Sequence, residues 1–365
     1  MKRLLIGLMV VMNGLMVWGH ETDTLSTDTL ATNDDQGVII RTIRGFDKKD
    51  YSYIEPNHYE FTFMMQLTRT YESFSLSSNE QSLSLSPDRT TKIGPYFGWR
   101  WIFLGYTFDI QNISFSQNGL RKEFDLSIYS SQVGVDLFYR RTGDNYKIRD
   151  AEFGKDVDGH LFEGIPFAGV NVGITGASAY YIFNHRRFSY PAAFAQSTCQ
   201  KISCGSWMAG LGYTHNTLEL DHEALQEAID KRIGHTVPLD SGMLFRKISY
   251  NDFMLSGGYA YNWVFAKNWL FCASAQLALA YKTSHGKTDD EKKGFDFKKV
   301  NPDVIGRFGL VYNNIRWYAG ASFIMRTNKY STSRFTANNI FGSLNVYIGY
   351  NFMLKKKYRQ QQQTI

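Results

Sequence analysis

Cysteine is nearly absent from the chain, with Cys199, Cys204 and Cys272 alone among 365 residues. Three cysteines cannot form a disulfide framework. Cys199 and Cys204 could pair, or could be two small residues in a loop, since spacing does not bring two Cα atoms within bridging range. Charge of one sign is also lacking: 40 Lys and Arg against 34 Asp and Glu leave a net +6. A nucleic-acid surface needs that excess gathered into a patch, and along the sequence it is spread out. The one dense run, Lys355, Lys356, Lys357 and Arg359, reads as part of a solvated basic and Gln-rich tail over 355–365, so no nucleic-acid partner is expected. Beyond residue 20 no window approaches the 18 apolar residues of a membrane-spanning helix. Catalytic and ligand-binding motifs are missing too: HExxH, paired CxxC, an EF-hand loop, GxxxxGK[ST] and GxSxG do not occur. The eight histidines are scattered, and Asp221-His222-Glu223 reads as a solvated helix start. No catalytic, cofactor-binding or metal-ligating residue is assigned, no cofactor is expected, and the chain is read as not an enzyme.

Aromatics are abundant at 16 % and charged residues make up 20 %, a balance that excludes disorder for most of the chain. Lys2 and Arg3 precede an apolar stretch from Leu4 to Trp18, then Gly19. A basic start, a short apolar run and a small residue describe a signal peptide over 1–19. The polar, acidic stretch that follows cannot bury a core, so 20–50 reads as a flexible periplasmic leader.

From there on the period is two. Phe253, Leu255, Tyr259, Tyr261, Trp263 and Phe265 share one face, and after Ala266-Lys267 the pattern resumes with Trp269, Phe271, Leu277, Leu279 and Tyr281. Alternation joined by a tight connection is a β-hairpin. Val304, Phe308, Leu310 and Tyr312 form another with Ile315, Trp317, Phe323 and Met325, with Asn313-Asn314 suited to the positive φ angles of its turn. Leu344, Val346, Ile348, Tyr350 and Phe352 close the series. Apolar faces of this length match strands that cross a bilayer, and aromatics clustered near strand ends match an interfacial girdle.

The expected fold is therefore all-β: one transmembrane antiparallel up-and-down barrel over 51–354 with about twelve strands. These fall near 58–75, 78–86, 90–99, 101–115, 123–140, 165–184, 204–219, 247–265, 268–283, 303–312, 315–327 and 340–354. The phase slips inside 123–140, as a bulge would make it. One short helix near 221–232 could cap the barrel mouth, rest on the membrane interface or pack on a loop. Inward-facing charges are the candidate lumen lining. Glu60, Lys92, Arg100 and Asp109 come from the first strands, Asp136 and Arg140 from the middle, and Asp252 and Lys282 from the hairpin at 247–283. Arg307, Arg316 and Arg326 complete the set. Such charges set selectivity in an open pore, or pair and fill a closed barrel.

The stretches QSLSLSP, KIGPYFGWRWIFLGYTFDI (92–110), RRFSYPAAFAQSTCQK (186–201), GGYAYNWVFAKNWLF (257–271) and IGRFGLVYNNIRWYAGAS (305–322) resemble the DUF4421 family of Bacteroides-type bacteria. The resemblance runs from about Tyr51 to Phe352. It implies an outer-membrane β-barrel and carries no activity or catalytic residues with it. Tyr347 to Leu354 is also similar to the terminal strand signal of outer-membrane proteins, although eleven residues follow it.

The reading is an outer-membrane protein with outer-membrane lipid and the barrel-assembly machinery as partners, serving as a structural or binding component. A passive solute channel is the alternative, then a lipid-modifying enzyme. A small solute or an envelope protein could be the bound partner. A soluble periplasmic barrel is disfavoured because the apolar faces would leave large patches in water.

Overall fold

Side chains that alternate apolar and polar over fifteen or more residues can satisfy their backbone only in a sheet with two unlike faces. The computed structural model describes residues 49–99, 102–105, 108–109, 122–141, 146–154, 157–287, 295–331 and 334–363. The segment expected to be a signal peptide, 1–19, and nearly all of the expected leader, 20–50, lie outside the described residues. The first strands are β1 (Ile54–Pro56), β2 (Tyr59–Ser77), β3 (Gln81–Pro87), β4 (Thr90–Trp99), β5 (Ile102–Gly105) and β6 (Phe108–Asp109). Next come β7 (Lys122–Tyr129), β8 (Val133–Arg141), β9 (Tyr146–Phe153), β10 (Val170–Ile182), β11 (Thr198–Gln200) and β12 (Cys204–Leu220). The last five are β13 (Lys247–Ala266), β14 (Trp269–Lys287), β15 (Phe295–Asn313), β16 (Trp317–Ser331) and β17 (Thr336–Leu354). Helices are α1 (Pro191–Phe194), α2 (His222–Ile233) and α3 (Lys356–Gln363).

One antiparallel path runs β5-β4-β2-β17-β16-β15-β14-β13-β12-β10-β8-β7. Pairing of β2 with β17 joins the first and last wall strands over nearly their full length, from Tyr59↔Leu354 to Ser77↔Thr336. The sheet curls far enough for opposite walls to meet. Phe138 on β8 lies 6.2 Å from Phe341 on β17, ring to ring, and Arg307 on β15 bonds Asp136 on β8. This is a barrel wall.

Twelve positions on that path agree with the expected count, but two of the expected strands are placed differently. The phase slip in 123–140 is a hairpin turn, not a bulge: β7 and β8 are separate strands. Ser130 makes the turn, its Oγ accepting from the Val133 N–H at 2.9 Å. The segment expected at 78–86 is β3, which leaves the wall. The upper part of β2 (Phe74–Ser77) pairs with β3, and β3 pairs with β9, a strand the sequence reading missed. One strand gained and one lost leave the count unchanged.

At the end where β2 rises into β3, inward residues turn apolar. Phe74, Leu85, Ile148, Phe162, Phe167, Leu225 and Ile229 pack against Ile174, Leu218, Ile248 and Phe341 of the wall in one buried core. We call this the cap end. The α2 helix belongs to it, so the helix caps the mouth rather than resting on a loop. Asp221 Oδ1 accepts from the Ala224 N–H at 2.9 Å, and Gly234 ends the helix at φ 84°.

The opposite, plug end carries the described termini and short connections. There the β10–β12 connection folds inward: Phe188, Tyr190, Ala192 and Ala193 pack beneath Ile182, Met208, Leu270, Cys272 and Val311. The β15–β16 turn also departs from expectation. Ile315, not an asparagine, takes the positive φ of 74°. The asparagines act through their side chains, Asn313 Oδ1 accepting from Ile315 N and Asn314 Oδ1 from Trp317 N.

On the inner wall, tyrosine rings lie over glycines of the neighbouring strand: Tyr318 over Gly349, Tyr347 over Gly320, and Tyr180 over Gly134. A Cβ at Gly349 would stand 2.1 Å from Tyr318 Cζ. That ring is buried, its hydroxyl 2.8 Å from Thr62 Oγ1, and has nowhere to go. Gly349→Ala should therefore lower unfolding stability by about 1–3 kcal/mol. Gly257→Ala, on the outer face with open space around it, should leave the denaturant midpoint within error. Equal midpoints for the two variants would contradict the packing described.

Candidate functional site

Parity along each strand decides which charges enter the barrel. On β8, Asp136 and Arg140 alternate inward with Phe138. On β13 to β16 the inward charges are Asp252, Lys282, Asp303, Arg307 and Arg326. All but Arg326 are almost fully buried, with Lys282 and Asp252 at 0 % exposure and Arg307 at 1 %. They form two neighbouring clusters.

In the first, one carboxylate holds two guanidinium groups from the far wall. Asp136 Oδ2 accepts from Arg307 Nη2 at 2.5 Å and from Arg326 Nη2 at 2.7 Å, while Oδ1 accepts from Ser127 Oγ at 2.6 Å. Aromatic faces cover the cations: Arg307 lies 5.1 Å from the Tyr180 ring centre and Arg326 5.0 Å from Phe138. Arg140 lies 4.8 Å over Phe341. In the second cluster, Lys282 Nζ sits 3.3 Å from Asp252 Oδ2, 3.5 Å from Asp303 Oδ2 and 2.7 Å from Asn328 Oδ1. Thr214 and Asn216 donate to the same Asp252 oxygen at 3.1 and 3.0 Å. Charges buried this deeply persist only when paired and hydrogen-bonded.

Of the sequence candidates, Asp136, Arg140, Asp252, Lys282, Arg307 and Arg326 are thus in the interior. Lys92 is half-buried, its backbone opposite Asp109. Glu60 lines a space of about 250 Å³ at the plug end with Thr62, Gln196 and Asn351. Arg100 and the Asp109 side chain lie outside the described residues. Arg316 is a correction. The three-residue turn breaks the alternation before β16 begins, so its side chain is exposed on the rim, Nη2 2.8 Å from Tyr350 Oη. Glu72 and Asp303 were missed, although both were legible. Each shares parity with an assigned inward residue, Glu72 with Glu60 on β2 and Asp303 with Arg307 on β15. Glu72 Oε1 accepts from Tyr146 Oη at 3.3 Å.

Below the ionic layer sits the inserted plug. Tyr190 Oη bonds Ser274 Oγ at 2.9 Å, Asn262 Nδ2 donates to Ser189 O at 2.8 Å, and Gln196 Nε2 donates to Tyr347 Oη at 2.8 Å. The β1 strand is zipped onto β11 of the same segment. Cys199 and Cys204 are free thiols, and neither expected reading holds in full: they do not pair, and they lie in strands, Cys199 within β11 and Cys204 at the start of β12. Burial, with the Glu55 carboxylate adding to it, pushes the Cys199 thiol up to about 12. Among the described residues no group of three or more His, Cys, Asp or Glu could hold a metal ion.

Two outcomes follow from this geometry. Asp136→Ala leaves two guanidinium groups unneutralised and should cost about 3–5 kcal/mol. An Asp136→Leu, Arg307→Met, Arg326→Met triple variant should recover most of that loss, because apolar side chains in place of the whole triad need no partner. Equilibrium unfolding measures both, and a single variant as stable as the parent would refute the shared-carboxylate arrangement. At pH 8 a thiol raised to about 12 is almost wholly protonated. Cys199 should alkylate about a thousandfold more slowly folded than unfolded, and faster as pH climbs toward that value. Peptide mass spectrometry after timed iodoacetamide exposure reads this; equal folded and unfolded rates would count against the burial.

No curated protein matches the chain. Among solved structures it is similar to the outer membrane protease OmpT from Escherichia coli, at 8 % identity and TM-score 0.36, covering 80 % of this chain and 97 % of that one. It is similar also to the translocator domain of the autotransporter NalP from Neisseria meningitidis, at 9 % identity and TM-score 0.32, covering 87 % and 95 %. The toluene transporter TodX of P. putida gives 10 % identity and TM-score 0.28, covering 81 % and 91 %. Scores this low carry no activity across. A family model, by contrast, matches residues 48–352, and the chain belongs to that family, described as Domain of unknown function (DUF4421).

Proposed function

We propose that this protein is an outer-membrane β-barrel acting as a closed binding or structural component of the envelope, without catalysis. The observation that carries this reading is the inverted partition of its side chains. Leu211, Leu255, Leu277, Leu279 and Ile348 are more than half exposed on the outer face, while Asp252, Lys282 and Arg307 are buried inside. An apolar outer face of that extent is not tolerated in water, and lipid is the solvent that satisfies it.

Dimensions agree. The apolar face of β13 runs from Phe253 to Trp263, ten steps of about 3.4 Å. Tilted by roughly 40°, they span about 26 Å, close to the apolar band of such barrels. No helix among the described residues is long and apolar enough to cross, so strands do the crossing. Short connections at 267–268 and 314–316 share the plug end with the described termini, the pattern of a periplasmic face. Export through the cleaved segment 1–19 and insertion by the barrel-assembly machinery belong to the same reading. So does the cap as the part offered to an envelope partner.

A passive channel would leave lumen side chains wetted. Here the ionic layer, the apolar cap and the plug are each buried from solvent. Protein refolded into planar bilayers should therefore insert, resist heat in detergent and stay electrically silent. Steady single-channel conductance would make it a pore instead, and failure to insert would remove the membrane reading altogether.

A further inference from the structure

The fold collects onto one surface the positive charge that the sequence scatters. The described termini and connections of the plug end are 49–58, 130–132, 183–203, 267–268, 314–316 and 355–363. Together they hold ten Lys and Arg but two acids, Asp50 and Glu55. Both acids are engaged, Asp50 with Arg187 at 3.4 Å and Glu55 with His58 at 3.3 Å. The C-terminal basic run is tied to this face rather than trailing from it. Lys355 N donates to His58 O at 2.9 Å, and Tyr358 stacks on the His58 ring at 3.9 Å. Lys201, Lys267, Lys356 and Lys357 are exposed. The cap end differs in carrying exposed charges of both signs, among them the pairs of Lys147 with Asp88 at 2.8 Å and of Arg246 with Glu223 and Lys247 with Glu219 at 2.7 Å.

A second asymmetry coincides with the first. All five tryptophans with described side chains, Trp99, Trp207, Trp263, Trp269 and Trp317, stand exposed on the outer wall at the plug end. Bases lie just beyond them toward the end of the barrel: Lys267 between Trp263 and Trp269, Arg316 beside Trp317. Tryptophan settles where hydrocarbon meets headgroup. Bases one step further out stand at the height of the phosphates.

We propose that this end binds anionic phospholipid headgroups, its tryptophan ring seated at the acyl boundary and its lysines and arginines on the phosphates of one leaflet. The proposal rests on the membrane-spanning reading. It deepens that reading by naming the leaflet chemistry and by orienting the barrel with its plug end toward the phospholipid leaflet. An acidic glycan or protein would meet the charge but leave the tryptophans without a role.

The ring itself is the probe. The full chain is refolded into vesicles of phosphatidylcholine mixed with phosphatidylglycerol, with bromine on the acyl chains of one lipid or the other, and tryptophan fluorescence is read. Brominated phosphatidylglycerol should quench as though enriched about threefold or more around the ring. That preference should fall toward unity in a Lys267→Glu, Lys356→Glu, Lys357→Glu variant and in high salt. Equal quenching by the two lipids in the parent protein overturns the proposal, as does a preference that survives both charge reversal and salt. Binding of a soluble acidic glycan without any lipid preference overturns it in favour of a polymer partner. Heat-modifiability on gels runs alongside: a barrel that inserts but shows no preference sinks this inference alone, whereas one that never inserts sinks the membrane reading with it.

Discussion

The Asp136 carboxylate, shared by Arg307 and Arg326 from the opposite wall, is the contact on which the interior depends. A barrel whose apolar side chains face outward must fill its inside with the polar ones, and polar groups packed away from water demand partners. A salt bridge along one wall would satisfy charge without holding the barrel's section. The Asp136 bridge crosses the interior, so its geometry fixes how tightly the sheet curls. The aromatic faces of Tyr180 and Phe138 on those guanidinium groups keep water from competing for them.

Both ends are arranged around that layer. Toward the cap, inward residues of β2 change from Thr70 and Glu72 to Phe74 and Leu76, and the chain can then assemble an ordinary apolar core over the mouth. Toward the plug, small residues such as Ala192 and Ala193 let the short helix α1 pack close against the wall, and single polar contacts anchor the segment that carries it. Gly309 marks the closeness of the fit, since a Cβ there would meet Ala193 O at 3.3 Å. Three unlike layers thus occupy one lumen, each following from what the adjacent wall presents.

Much of this was legible residue by residue. Strand parity is local, so Phe253 to Phe265 and Leu344 to Phe352 could be assigned to the outer face, and six of the named charges to the interior, without knowing any neighbour. Parity failed where the chain turns. At 123–140 a hairpin and a bulge leave the same phase slip, and only the pairing of β7 back onto β8 tells them apart. At Arg316 a positive φ on Ile315 removed the alternation that would have carried the side chain inward.

By itself, then, the sequence determined the strands, their two faces and the chemistry each face would present, because period-two geometry is written into consecutive residues. Tertiary structure decided everything that depends on which strands meet. That Asp136 answers Arg307 across 171 positions, that β3 leaves the wall for β9, and that 183–203 enters the lumen are consequences of curling. The same holds for charge: Lys201, Lys267, Arg316 and Lys356 are far apart along the chain, and they form one basic face only because antiparallel strands return every second connection to the same end.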